Sequence, residues 1–437
     1  FEVPAVFIGA FKGDIDDGSN NLRKWLFNHM MPENNRTNER LPYVNWNAFH
    51  NTAIRYQAWI CTEEKYYPMM DSIYEAGMEE VTIDVGWWEG YGDWRSSSKY
   101  WPSGMAAASK YAHDRNMEFA LYFTFTNKDS QDPDALTASG PSGHDEWFMD
   151  HLKADLGIKE CREYVIEKLE KRFNEYNIDS LRTDYDPVIT RKAHGNKRNG
   201  VNDGSYWSEL GFIELLEYFF KTRPGFRYQN CSGGGAMKGY ALMKRSNVVQ
   251  VTDSFDALNV RKAVWDSAYC YPMMQIMSLF GDSTCGGNLG EISYRIRTYL
   301  LAAPAAHIEM PSEMTPEDRD ALKRMVACYK ERIRPLVRYA NVYHNLPRPD
   351  GVNWDGFEYY DPNTGKGLTI VFKPDSDVKT QTIKWKGLES DAMYDITFFD
   401  GTNPSARVTG KELMEKGIPV TLERKYTAEW IFADRMQ

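Results

Sequence analysis

The chain has 437 residues, a formal net charge of −10 and a pI near 5.5, and 42% of its residues are hydrophobic. That length can carry a large catalytic domain plus a smaller one, and the apolar fraction suffices for an ordinary globular core. The acidic balance and the lack of a basic stripe exclude a nucleic-acid partner, and no apolar run nears the roughly 20 residues of a membrane span.

The chain opens at Phe1, without a Met, so a leader or a whole preceding domain is expected to be missing, and no localisation is legible there. Residues 1–40 read as an entry segment: a short strand over 6–9, a polar turn over 13–18, and a helix over 20–29. The sequon at Asn35 is too common a pattern to carry weight. From 41 onward strands alternate with helices. Strands are predicted at 43–47, 81–87, 118–125, 180–184, 227–231, 248–253, 277–280 and 307–310, with helices at 64–76, 104–116, 160–173 and 208–221. In the third helix Cys161, Val165, Leu169 and Phe173 recur every four residues and Ile166 fills the same face, which is an amphipathic pattern. Such alternation predicts an α/β fold, a (β/α)8 TIM barrel over 41–340. An open doubly wound sheet is the alternative, but no Gly-rich dinucleotide turn follows the first strand. The polar stretch 187–206 is expected to overhang the active face, either closing over substrate or standing as a solvated basic excursion. A helical stretch over 316–338 ends the barrel. Beyond it, short strands and turn signals predict a small C-terminal antiparallel β-sandwich over 341–437. The six scattered cysteines fit reduced thiols in a large core rather than a disulfide framework.

In such a barrel the C-terminal strand ends form the active face, so reactive side chains there carry the functional signal. The second strand runs into Asp84-Val-Gly-Trp87-Trp88, the fourth ends in Arg182-Thr-Asp184, the fifth in Cys231-Ser232-Gly233-Gly234-Gly235, and the sixth in Thr252-Asp253-Ser-Phe-Asp256. Asp184 could instead cap the loop that follows it or pair with a nearby arginine. Paired carboxylates across a barrel mouth, with tryptophans nearby, suit glycoside hydrolysis: one attacks the anomeric carbon while the other protonates the leaving oxygen. Asp84 and Trp87 then read as substrate contacts, with Asp84 as a structural residue satisfying backbone donors the alternative, and the glycine run reads as backbone held open for close approach of a ligand or as a turn closing the strand. The eight histidines show no zinc-ligand spacing, and neither a nucleophile elbow nor a P-loop is present, so no metal or cofactor is expected. Cys231 has no histidine near it in sequence to activate it as a nucleophile.

Taken in order, these motifs resemble glycoside hydrolase family 36, the α-galactosidase and α-N-acetylgalactosaminidase family. The likeness runs from Gly13 through 42–49, 84–94, 182–184, 231–235 and 252–256 to 320–337 and the C-terminal region. The resemblance implies a retaining, metal-free double displacement on a small carbohydrate or glycan, with Asp184 as nucleophile and Asp253 as general acid/base, Asp256 being the weaker candidate for the second role. It also implies sugar contacts from Asp84, Arg182, Cys231, Gly233 and Gly234, with Ser232 in the same run, and an aromatic at the pocket mouth at Trp94. This chain departs from the family pattern in recognition, not in the two carboxylates. A second aspartate is replaced by Val85, a lysine by Arg182 and a tryptophan by Phe49; residues 122–126, Met237 and Gly239 also differ. Galactose, a C2-amino or N-acetyl galactose, a sugar lacking the 6-hydroxyl and another α-linked hexose are the substrates left open. A transglycosylase using the same carboxylates and a catalytically silent carbohydrate-binding relative are the rival readings, and homo-oligomerisation is compatible with the sequence.

Overall fold

The computed structural model describes residues 6–47, 62–90, 92–125, 136, 143–149, 153–184, 204–281, 290–307 and 311–436. Eight parallel strands close into a barrel: β1 (Asn45–Asn47), β2 (Glu80–Ile83), β3 (Glu118–Phe123), β4 (Ser180–Thr183), β5 (Arg227–Asn230), β6 (Val248–Gln250), β7 (Ile276–Gly281) and β8 (Ala303–His307). Each strand pairs with the next, and Asn45 completes the ring by aligning with both Glu80 and Ala305. The open-sheet alternative is thereby excluded.

Helices between the strands bury the faces that their periodicity marks. In the helix Lys159–Tyr176, Cys161, Val165, Leu169 and Phe173 are all fully buried, while Ile166 packs at the edge of the same core. Truncating Phe173 to alanine would remove a ring packed on Phe123, Phe219 and Phe226, a loss of about 3–5 kcal/mol. The helix stops where Asn177 turns left-handed at φ 51°, a conformation asparagine tolerates, and β4 follows three residues later.

The last barrel strand lies earlier than predicted. Residues 303–307 form β8, with Met277 aligned on Ala303 and Gly281 on His307; of the expected 307–310, residues 308–310 fall outside the described residues. Its Ala-Pro-Ala-Ala composition lacks the branched and aromatic residues that mark strands, so propensity passed over it and the barrel's closure selected it.

The entry segment also departs from expectation. Residues 6–12 form no strand, and Val6 and Ile8 are 82% and 94% exposed, since an isolated short strand without a sheet edge has nothing to pair with. The polar turn is instead a helix start. Asp14 accepts from the Asp16 and Asp17 amides while Asp17 accepts from the Asp14 amide, and this capping box launches the helix Ile15–His29. Asn35 is buried and exchanges hydrogen bonds with Asn247, so the sequon is structural.

After the helices Pro316–Cys328 and Arg334–Tyr339 the chain becomes antiparallel. Strands Asn341–Tyr343, Asp355–Asp361, Lys366–Lys373, Thr427–Arg435, Met393–Phe398 and Ala406–Thr409 form a 6-stranded sheet in that spatial order, and Thr380–Ile383 pairs separately with Ile418–Thr421. Side chains alternate across the large sheet. Phe357, Tyr359, Leu368, Ile370, Trp430 and Phe432 share the barrel's core, while Tyr360, Val371, Ile431 and Ala433 face a second, smaller one. The barrel and sheet are also pinned by Arg261, which donates to both carboxylate oxygens of Asp355 at 2.8 and 3.1 Å with both residues buried.

Candidate active site

The strand ends bring side chains from β1, β2, β4, β5 and β6 to one rim of the barrel. Arg182, on β4, is buried and donates through Nε to Asp84 Oδ2 at 2.9 Å. Asp84, also buried, receives Asn47 Nδ2 on that same oxygen at 2.6 Å and the Val85 amide on Oδ1 at 2.9 Å. Burial alone would weaken the guanidinium's hold on its proton, but the surrounding Cys231, Asp84 and Asp184 outweigh it and raise the pKa. Arg182 therefore stays cationic although it is itself buried.

From Arg182 the network continues toward β6. Its Nη2 reaches Gln250 Oε1 at 3.4 Å, and Gln250 Nε2 donates to Asp253 Oδ1 at 3.0 Å. Burial comes first in raising the Asp253 pKa, the negative charge of Asp184 adds to it, and Arg182 and Gln250 pull the other way. Asp253 is the more open residue of the two, exposed where Gln250 is buried.

Between the two aspartates lies the glycine run after β5. The Gly233 amide donates to Asp184 Oδ1 at 2.7 Å. Gly234, at φ +70°, backs onto Asp253, where any Cβ would come within 2.4 Å of the Asp253 Cβ. The run thus does two jobs that need glycine: left-handed backbone and contact closer than a side chain permits. Cys231 begins it, buried, with its amide on the Thr183 carbonyl; burial pushes the thiol up to about 12 against the pull of Arg182, so it is a neutral thiol and no nucleophile. Ser232 is buried beside it with φ 43°.

Asp256 is engaged elsewhere. It caps the helix Ala257–Ser267 by accepting from the Asn259 amide at 2.9 Å, and also receives Ser254 Oγ and Asn259 Nδ2. Burial raises its pKa, but these bonds outweigh it and the net shift is downward, the wrong direction for an acid that must hold a proton.

The two tryptophans expected to meet the sugar are both buried. Trp87 is 0% exposed with its Nε1 on the Tyr122 carbonyl, and Trp94 is 3% exposed with its Nε1 on the Thr124 carbonyl. Their rings pack edge-on against Phe123, and each indole N–H finds a backbone acceptor inside. Phe49 and most of 187–206 lie outside the described residues. Sequence reasoning overlooked Asn47 and Gln250 as site residues. Each is the last residue of its strand, a polar group on the active rim, and that position was the available signal. Among the described residues no group of three His, Cys, Asp or Glu side chains is placed to hold a metal ion, and no helix is long and apolar enough to cross a membrane.

Residues 1–340 match the Melibiase family profile. Among curated proteins, α-galactosidase 1 of Pediococcus pentosaceus is 23% identical over 377 residues, covering 81% of this chain and 50% of that protein. α-Galactosidase Mel36A of Lactobacillus acidophilus is 22% identical over 380 residues, covering 83% of this chain and 50% of its own length. The chain thus spans about half the length of these relatives. In fold, it resembles the GH36 α-galactosidase AgaA of Geobacillus stearothermophilus, solved with 1-deoxygalactonojirimycin. The TM-score is 0.83 at 17% identity, covering 97% of this chain and 59% of that one. On the ordered motifs, the closed barrel and the family match over most of its length, the chain belongs to the melibiase family, glycoside hydrolase family 36.

Proposed function

We propose that the protein is a retaining, exo-acting α-glycosidase for terminal α-galactoside-type residues, either galactose or its C2-amino or N-acetyl form. Asp184 attacks the anomeric carbon and Asp253 protonates the departing oxygen, then deprotonates the water that releases the sugar. The observation that carries this reading is the pair of carboxylates on either side of the glycine run, Asp184 on Gly233 and Asp253 against Gly234. Asp184 is held by the Gly233 amide on Oδ1, while Asp253 is held by Gln250, and partial burial and then the charge of Asp184 raise the Asp253 pKa. Two carboxylates so held on one barrel rim, one of them pushed toward keeping its proton, suit the nucleophile and acid roles. Arg182, locked onto Asp84, adds fixed positive charge beside the nucleophile.

The test is a panel of aryl α-glycosides (galactose, N-acetylgalactosamine, galactosamine, arabinopyranose) with the anomer of the first-formed sugar read by proton NMR. An α-product at the earliest times, and loss of turnover in Asp184→Ala with the fold retained, is the expected result. Full activity in that variant, or a β-product, overturns the assignment.

A further inference from the structure

Gln250 occupies the last position of β6 and is 1% exposed, with one end of its amide toward Arg182 and the other toward Asp253. Chemistry fixes which end is which. A guanidinium donates and never accepts, so the amide oxygen must face Arg182 Nη2. The amide NH2 is thereby left facing Asp253 Oδ1, at 3.0 Å. An NH2 group can give a hydrogen bond to that oxygen but cannot receive one from it. A proton on Oδ1 would meet a donor, so the acidic proton belongs on Oδ2.

Resting on the glycosidase reading above, we propose that Gln250 is a positioning residue, oriented by Arg182, that confines the transferable proton of Asp253 to Oδ2 and holds that oxygen toward the leaving group. In the first step the Oδ2–H bond breaks as the proton passes to the glycosidic oxygen, leaving Asp253 as carboxylate. In the second step Oδ2 takes a proton back from the attacking water. Throughout, Oδ1 keeps its bond from Gln250, which strengthens when the carboxylate forms. Gly234 stands close to the same residue, since a Cβ there would come within 2.4 Å of Asp253 Cβ and 2.6 Å of its Cγ. The charged groups facing Asp253 are Asp184 and Arg182, both on or just after β4. Gln250 is the neutral link that ties Asp253 to the second of them.

The test replaces Gln250 with Met, which keeps length and removes both hydrogen bonds, and with Glu, which is nearly isosteric and substitutes an acceptor for the donor. Two readouts are taken. The first is the carbon-13 titration of the Asp253 carboxyl in the free protein, assigned with Asp253→Asn. The second is kcat on α-glycosides with an alkyl leaving group, which needs protonation, against 2,4-dinitrophenyl, which does not. Losing a donor to the charged form should raise the Asp253 midpoint by about one pH unit in Gln250→Met, and by more in Gln250→Glu. The kcat loss should be at least about tenfold greater for the alkyl substrate than for the activated one. An unmoved midpoint, or equal losses on both substrates, overturns the proposal. Failure of the underlying reading looks different: Asp253→Asn then turns over alkyl glycosides normally, while the midpoint shift still reports on Gln250.

Discussion

Gly234 lies so close to Asp253 that a Cβ on residue 234 would stand 2.4 Å from Asp253 Cβ and 2.6 Å from its Cγ. Non-bonded carbons do not approach that closely, so Gly234→Ala must push the proposed acid/base out of place or distort backbone already at φ +70°. We expect kcat on alkyl galactosides to drop by 100-fold or more, roughly the contribution of a positioned general acid, while the circular dichroism spectrum is unchanged. A variant with near-normal kcat would show that Asp253 tolerates displacement and is not the acid.

Arg182 and Asp84 form a buried pair, each 6–8% exposed at the side chain. Arg182→Ala leaves Asp84 buried without its cation, a change that costs about 3–5 kcal/mol and should appear as a large fall in Tm. Arg182→Lys keeps the charge but replaces a planar fork with a single ammonium that cannot span Asp84 and Gln250 together. It should fold with a much smaller loss of Tm, yet show a lower kcat/KM, so the two variants separate charge from geometry.

As the proposed acid, Asp253 must be protonated to act, so activity should be lost as pH rises through its pKa. Burial and then Asp184 raise that pKa above the ordinary 3.8, which carries the basic limb of the kcat/KM profile upward. Removing the Asp184 charge by Asp184→Asn should lower the Asp253 midpoint in a carbon-13 titration, though not fully, because burial persists. A midpoint unchanged in that variant would mean the two carboxylates do not sense each other.

The start of the first helix is tied to the C-terminal region through Asp16, which accepts from His344 Nδ1 at 2.6 Å and from Lys386 Nζ at 2.9 Å. Burial alone would raise the Asp16 pKa, but these partners outweigh it and lower it to about 2. The folded pKa lies below the unfolded one, so the stabilisation is present above about pH 4 and lost as pH falls toward 2. Asp16→Asn should lower stability by about 1–2 kcal/mol at neutral pH, with the difference from wild type shrinking in acid, as followed by denaturant unfolding at a series of pH values.

Arg261 and Asp355 join the barrel to the sheet with both side chains buried. Asp355→Ala should cost about 3–5 kcal/mol, whereas replacing both residues with apolar ones of similar volume should recover most of that loss. Thermal unfolding of the single and double variants checks this. A single variant as stable as wild type would place the junction's strength in the shared apolar core alone.

Much of this architecture is written locally in the chain. The four-residue recurrence from Cys161 to Phe173, the strand that follows it and the carboxylate at its end all come from near neighbours, and short-range periodicity is sufficient to mark them. The family's ordered motifs likewise lie in contiguous runs. What the sequence by itself determined is therefore the barrel, the antiparallel sheet behind it, and the rim on which Asp84, Asp184 and Asp253 stand. Tertiary structure alone decided how they are connected. The line Asn47, Asp84, Arg182, Gln250, Asp253 joins residues up to about 200 positions apart, and closure of the eight strands in one register is what brings them within hydrogen-bond reach. It also turned Trp87 and Trp94 inward and placed β8 over small residues that carry no strand signal. Pattern reports which face a residue prefers, while the partner it finds there depends on how distant strands align, and no local periodicity encodes that.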